Sequence, residues 1–155
     1  MPSRSTGVAV KVEEREVALG EVQAVLAAAR DEEYRGRLTA LVASVEEGEL
    51  AGDEAAELER VLEIGLQAGR IRAIYGPAGE QAALRLFRRL PAGAELTETA
   101  RSVSAALATL NGRSLDSFRI EVIGPGMYRI ALVAGGAEAT VRLYRSGVQL
   151  ASIGV

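Results

Sequence analysis

The chain has few residue types with which to do chemistry. It contains no His and no Cys. Composition therefore excludes Ser-His and Cys-His nucleophile pairs, histidine and cysteine metal sites, and disulfides. A di-iron bundle of the Glu-x-x-His kind fails for the same reason. No Gly-x-x-x-x-Gly-Lys-Ser/Thr run is present, so there is no phosphate-binding P-loop. The single Lys, Lys11, sits near the start and is a poor Schiff-base candidate. Carboxylates are plentiful, as in Glu13-Glu14 and Glu46-Glu47-Gly48-Glu49. Pairs of them run glycoside hydrolysis or hold Mg²⁺. Here nearly all fall on the polar faces of expected helices, which reads as solvated surface. No cofactor, no metal and no enzymatic activity is expected.

One segment concentrates groups suited to an anion: Gly69-Arg70-Ile71-Arg72-Ala73-Ile74-Tyr75-Gly76-Pro77-Ala78-Gly79-Glu80. If two helices form a hairpin about Gly76, Arg70 and Arg85 approach each other, with Arg88 and Arg89 further along. The N–H groups of Ala78 and Gly79 then open the following helix, a place where anions bind readily. Arg70, Arg72, Tyr75, Gly76, Ala78, Gly79 and Arg85 form the candidate ligand site. Two other readings compete with it: a structural elbow with solvated or salt-bridged Arg residues, and a protein contact centred on Tyr75.

The elements that must position these residues follow from a change of hydrophobic period, from about 3.6 to 2, near Asn111-Gly112. Before it the chain reads as helix. A first helix is expected from Glu13 to about Arg30, with a stripe of Val17, Val22, Val25, Leu26 and Ala29, weakened by Gly20. Tyr34, Leu38, Leu41, Val42 and Val45 mark a second, stopped by Gly48. Asp53 suits the N-cap of a third helix, running to about Tyr75 and the most buried of the set. Glu59, Glu63, Gln67 and Arg70 form its polar stripe, while Gly65 and Gly69, four apart on one face, let a neighbouring backbone come close. A fourth helix, 78–90, buries Ala83, Phe87 and Leu90, with Leu84 and Leu86 at its edges. A fifth spans 95–110. Val8–Val12 alternates and predicts a short strand, available to the sheet as a fifth.

Residues 117–155 read as four antiparallel strands in a meander, turning at Gly124-Pro125-Gly126, Gly135-Gly136 and Ser146-Gly147. Phe118, Ile120 and Val122 face one way, as do Tyr128, Ile130 and Leu132, then Ala139, Val141 and Leu143. The opposite face carries Arg119, Arg129 and Arg142, with Glu121 opposite Arg129 and Arg129 opposite Arg142. The fold class is thus α+β: a single domain over 1–155, with a mainly helical part over 8–112 and a meander over 117–155 packed on it.

Apolar residues make up 48% of the 155, too many for disorder. No apolar run reaches the roughly 18–20 residues of a membrane span, and no secretory signal is visible at Met1–Gly7. A cytoplasmic location is expected. Residues 1–66 hold 7 basic and 15 acidic side chains, and residues 67–155 hold 11 and 6. That asymmetry suits either internal compensation or an acidic protein partner. A net charge of −3 and an aromatic content of 4% argue against a nucleic-acid binder. The function expected is a self-associating protein-interaction or assembly module. Apolar faces on the N-terminal strand and first helix (Val8, Val10, Val12, Val22, Val25, Leu26) and the open edges of the meander are the surfaces expected to pair. The alternative is a small-anion binder at the Gly76 elbow.

Overall fold

The computed structural model describes residues 7–154, which form five helices followed by a four-stranded antiparallel sheet, with a two-stranded sheet near the start. The fold is α+β. Between Ala94 and Glu95 the chain divides into two compact units.

The first unit begins with β1 (Val8–Ala9), α1 (Val12–Ala28), α2 (Glu32–Glu47), β2 (Glu49–Leu50), α3 (Gly52–Gln67) and α4 (Arg70–Phe87). β1 is shorter than expected and pairs with β2, in a sheet separate from the meander. Asp31 accepts a hydrogen bond from the Tyr34 amide at 2.8 Å and caps α2, and Gly48 ends that helix in the left-handed region. Asp53 is not a cap. α3 starts one residue earlier, and Glu54 reaches back to the Ala51 amide at 2.8 Å.

The helix expected to continue to Tyr75 is cut at Gly69, whose φ of +69° ends α3 and starts α4. Gly69 therefore serves the turn, not a helix face. Gly65 is approached by side chains and not by a neighbouring backbone: a Cβ there would strike the Glu21 carboxylate and Ile71. Gly20 has a similar purpose, because its missing side chain leaves room for the Tyr75 ring.

The core of this unit joins Val17, Val22, Leu38, Leu41, Val45, Leu50, Leu58, Leu62, Ile71, Leu86 and Leu90. Leu62 is fully buried, whereas Leu66 is only partly so. Leu86 is buried and Phe87 half-buried, the reverse of the expected order. The expected surplus on β1 and α1 is largely absorbed: Val10 and Val22 are core, and Val8, Val25 and Leu26 pack against it. Only Val12 stays exposed.

Three glutamates are buried: Glu14, Glu21 and Glu59. Glu14 takes a bidentate pair of hydrogen bonds from Arg89, at 2.9 and 2.6 Å, and a third from the Lys11 amide. Burial pushes its carboxyl up, but those hydrogen bonds outweigh it and hold the group below the usual carboxylate range. Arg70 pairs with Glu21. Glu59, expected on the polar stripe, accepts from the amides of Ala92 at 3.1 Å and Gly93 at 2.8 Å. These amides lie in the first turn of α5 (Pro91–Leu107), where a carboxylate suits both the free donors and the helix dipole. Pro91 occupies the first position of α5, as proline prefers.

The second unit holds the rest of α5, a 3-10 turn at Ala108–Leu110, and the strands β3 (Leu115–Gly124), β4 (Met127–Ala134), β5 (Ala137–Tyr144) and β6 (Gly147–Gly154). They pair in chain order, β3-β4-β5-β6. Gly135 and Gly136 form the expected two-residue turn, with φ of +55° and +79°. At the first turn the connection is Pro125-Gly126, and Ile123 bulges out of the ladder. At the third it is Arg145-Ser146, because Gly147 already pairs with Tyr144. Glu121 lies opposite Arg129, and Arg129 opposite Arg142, as expected.

Candidate functional site

The elbow lies inside α4. Gly76, at φ +70° and ψ −175°, interrupts the helical backbone, and Pro77 restarts it. Tyr75 fills the space above Gly79, and its hydroxyl lies beside Gly20. Burial and the nearby Glu21 carboxylate push that hydroxyl's pKa up. Beside it is a cavity of about 440 Å³ lined in part by Tyr75, Ala78, Gly79 and Arg85. Two other candidate residues are engaged elsewhere. Arg70 pairs with Glu21, and Arg72 bridges the elbow to Glu80 at 2.9 Å. Glu13 and Glu16 also line the cavity, so among the described residues Arg85 is its one cation and two carboxylates face the same space. That charge balance disfavours a bound anion.

A different surface stands out on the second unit. Across the apolar face of the sheet the register aligns Val122, Tyr128 and Leu143; Ile120, Ile130 and Val141; and Phe118, Leu132 and Ala139. Exposure rises steeply along these rows. Ala139 and Val141 on β5 are 1% and 5% exposed, but Phe118, Ile120 and Val122 on β3 are 51%, 59% and 73% exposed. Tyr128 is exposed beside them.

The cause is coverage. Four strands about 4.8 Å apart make a face wider than a single helix of about 10 Å can roof over. α5 lies along β6, where Ser102, Val103 and Ala106 face Val148 and Leu150 across a cavity of about 430 Å³. Leu96 also reaches Gly147 at the start of β6. Among the described residues of the second unit, no helix roofs β3 at the far edge.

The opposite face of the sheet is polar. Arg129 donates to Glu121 from Nε at 3.0 Å and again from its terminal nitrogen, and both bonds end on Oε2. Those bonds hold the Glu121 carboxyl below its ordinary range. The side chains of Arg119 and Arg142 make no hydrogen bond or ion pair among the described residues. A shallow hollow of about 400 Å³ runs between Arg119, Arg129, Glu138, Thr140 and Arg142.

Sequence periodicity assigned Phe118, Ile120 and Val122 to the apolar face without marking them as uncovered. A usable signal was present: the first strand of a meander lies at an edge, and only one helix adjoins the sheet in sequence. The division at Ala94 also changes the charge reading. Residues 1–94 carry 12 basic and 16 acidic side chains, and residues 95–155 carry 6 and 5, so neither unit is strongly polarised.

Among the described residues no group of three or more acidic side chains could hold a metal ion, and no helix is long and apolar enough to cross a membrane. No protein-family model, curated protein or solved structure matches this chain.

Proposed function

We propose that this chain is a non-enzymatic assembly module that self-associates through its second unit. The observation that carries the reading is the uncovered apolar patch of Phe118, Ile120, Val122 and Tyr128 on an edge strand. Patches of contiguous large apolar side chains at a surface mark association sites, and an open strand edge is itself a template for pairing. The N-terminal faces contribute less than their sequence suggests, because β1 and α1 pack their apolar residues into the first unit's own core. The module is taken to act in the cytoplasm, which the lack of Cys permits.

Support for an acidic protein partner is weaker once charge is counted by unit. Support for a small-anion site at the elbow is weaker still, since Arg70 and Arg72 are already paired and Glu13 and Glu16 line the cavity.

Light scattering at micromolar concentration tests the proposal. The expected result is a dimer or larger assembly that becomes monomeric in Phe118→Ser/Val122→Ser while keeping its circular dichroism spectrum. A strictly monomeric wild-type mass overturns it.

A further inference from the structure

Strand β3 carries a self-complementary pattern. Its regular stretch runs between two irregularities, one between Leu115 and Ser117 and one between Val122 and Gly124. Within it Arg119 and Glu121 share the polar face, and Phe118, Ile120 and Val122 the apolar face, as alternation along a strand requires.

Two copies of one edge strand can pair antiparallel about a two-fold axis perpendicular to the sheet, which keeps both apolar faces on the same side. Such an axis lies midway between one residue of the strand and the same residue of the partner, and that residue sets the register. Centred on Arg119, it places Arg119 against the partner's Arg119. Centred on Glu121, it places Glu121 against the partner's Glu121. Centred on Ile120, it places Arg119 opposite the partner's Glu121 and Glu121 opposite the partner's Arg119. Ile120 then meets the partner's Ile120, and Phe118 meets the partner's Val122. Opposite charges directly across a strand pair are favourable and like charges unfavourable, so the pattern selects the last register.

We propose that two copies join β3 to β3 in the register centred on Ile120, making one continuous sheet of eight strands. The proposal rests on the self-association reading and adds to it a particular edge and register. Glu121 is prepared for the second partner: both bonds from Arg129 end on Oε2, and Oε1 accepts none among the described residues. Arg119 likewise makes no ion pair among the described residues. The other edge, β6, offers Gln149 and Ser152 on the polar face and no charge to fix a register. Pairing β3 with β6 of a neighbour would also be head to tail, which gives open chains unless a ring closes.

A charge swap in trans tests the register. Arg119→Glu and Glu121→Arg are prepared separately, and circular dichroism confirms that each is folded. In the register centred on Ile120, each variant sets like charges opposite each other twice. Each should dissociate at a concentration at least about tenfold higher than wild type in sedimentation velocity runs. An equimolar mixture should re-form dimers, because the two variants then present opposite charges at both positions. The double variant Arg119→Glu/Glu121→Arg should dimerise alone. A dimeric wild type with both single variants equally dimeric overturns the register but leaves self-association standing. So does loss of dimer in the single variants without recovery in the mixture or the double swap. A monomeric wild type overturns both.

Discussion

The helical unit and the sheet unit bury their apolar residues to different depths. In the first, Leu38, Leu41, Leu50, Leu58, Leu62, Ile71, Leu86 and Leu90 are almost wholly inaccessible, and even three glutamates are buried, each held by a hydrogen-bonding partner. In the second, the buried apolar residues are small (Ala134, Ala137, Ala139, Val103, Val141), while Phe118, Ile120, Val122 and Tyr128 stay open to solvent. Helices packed on several sides of one another close a core completely, and buried carboxylates become tolerable because each one is paired. A four-stranded sheet beside one helix stays open along one edge. The contrast places the large enclosed apolar side chains in the first unit and the large exposed ones in the second.

That assignment breaks most readily at Leu62. Leu62→Ala should cost about 2–5 kcal/mol in chemical denaturation. A loss below about 0.5 kcal/mol, the scale of a surface substitution, would show that the core does not centre on α3. Next in size is the Gly135-Gly136 turn. Both residues hold positive φ, and changing both to Val should cost about 1–2 kcal/mol at each position, read as a lower melting temperature. An unchanged melt would remove the basis for the hairpin register.

Arg89→Ala should cost about 2–3 kcal/mol, less than a fully enclosed pair because Arg89 is about one-third exposed. Its pH dependence sharpens the test. The Glu14 carboxyl lies below its ordinary range when folded. Its contribution is therefore complete above the unfolded pKa and is lost as pH falls through the folded one. In Arg89→Ala the Lys11 amide remains but the larger lowering partner is gone, so the variant should lose less stability than wild type between pH 7 and pH 3. Urea titrations at both pH values separate the two behaviours. The smallest effect belongs to the sheet unit: Ile120→Ala, measured where the protein is monomeric, should change stability by less than about 0.5 kcal/mol. A larger loss would mean that β3 is already covered.

Local pattern made some of this legible and not the rest. Strand alternation foretold the rows of the sheet, because a period of two ties each side chain to a face wherever the turns fall. The turns themselves drifted by a residue at Ile123 and Gly147, where a bulge or a pairing glycine took up the slack. The break at Gly69 was missed because a glycine inside an apolar periodic run reads as tolerated. The buried glutamates were missed because their partners are remote. Glu14 meets Arg89, and Glu59 meets the start of α5, and periodicity marks both carboxylates as solvated. The Arg70 pairing at the elbow was illegible for the same reason: its partner, Glu21, lies on a different helix. Which strand would stay uncovered depends on where α5 lies, and no window of sequence contains that.

The strand order has a consequence in time. Each strand of the sheet pairs only with its neighbours in sequence, so every closing loop is short and the meander is a low-contact-order arrangement that should refold quickly. Stopped-flow refolding should show its β-signal in a single fast phase. During synthesis β3 is made first and gains a partner on one side as soon as β4 follows, at roughly 5–20 residues per second. β5 and β6 then extend the sheet away from it. The free edge of β3 thus belongs to the oldest part of the sheet, and no later strand of the meander covers it.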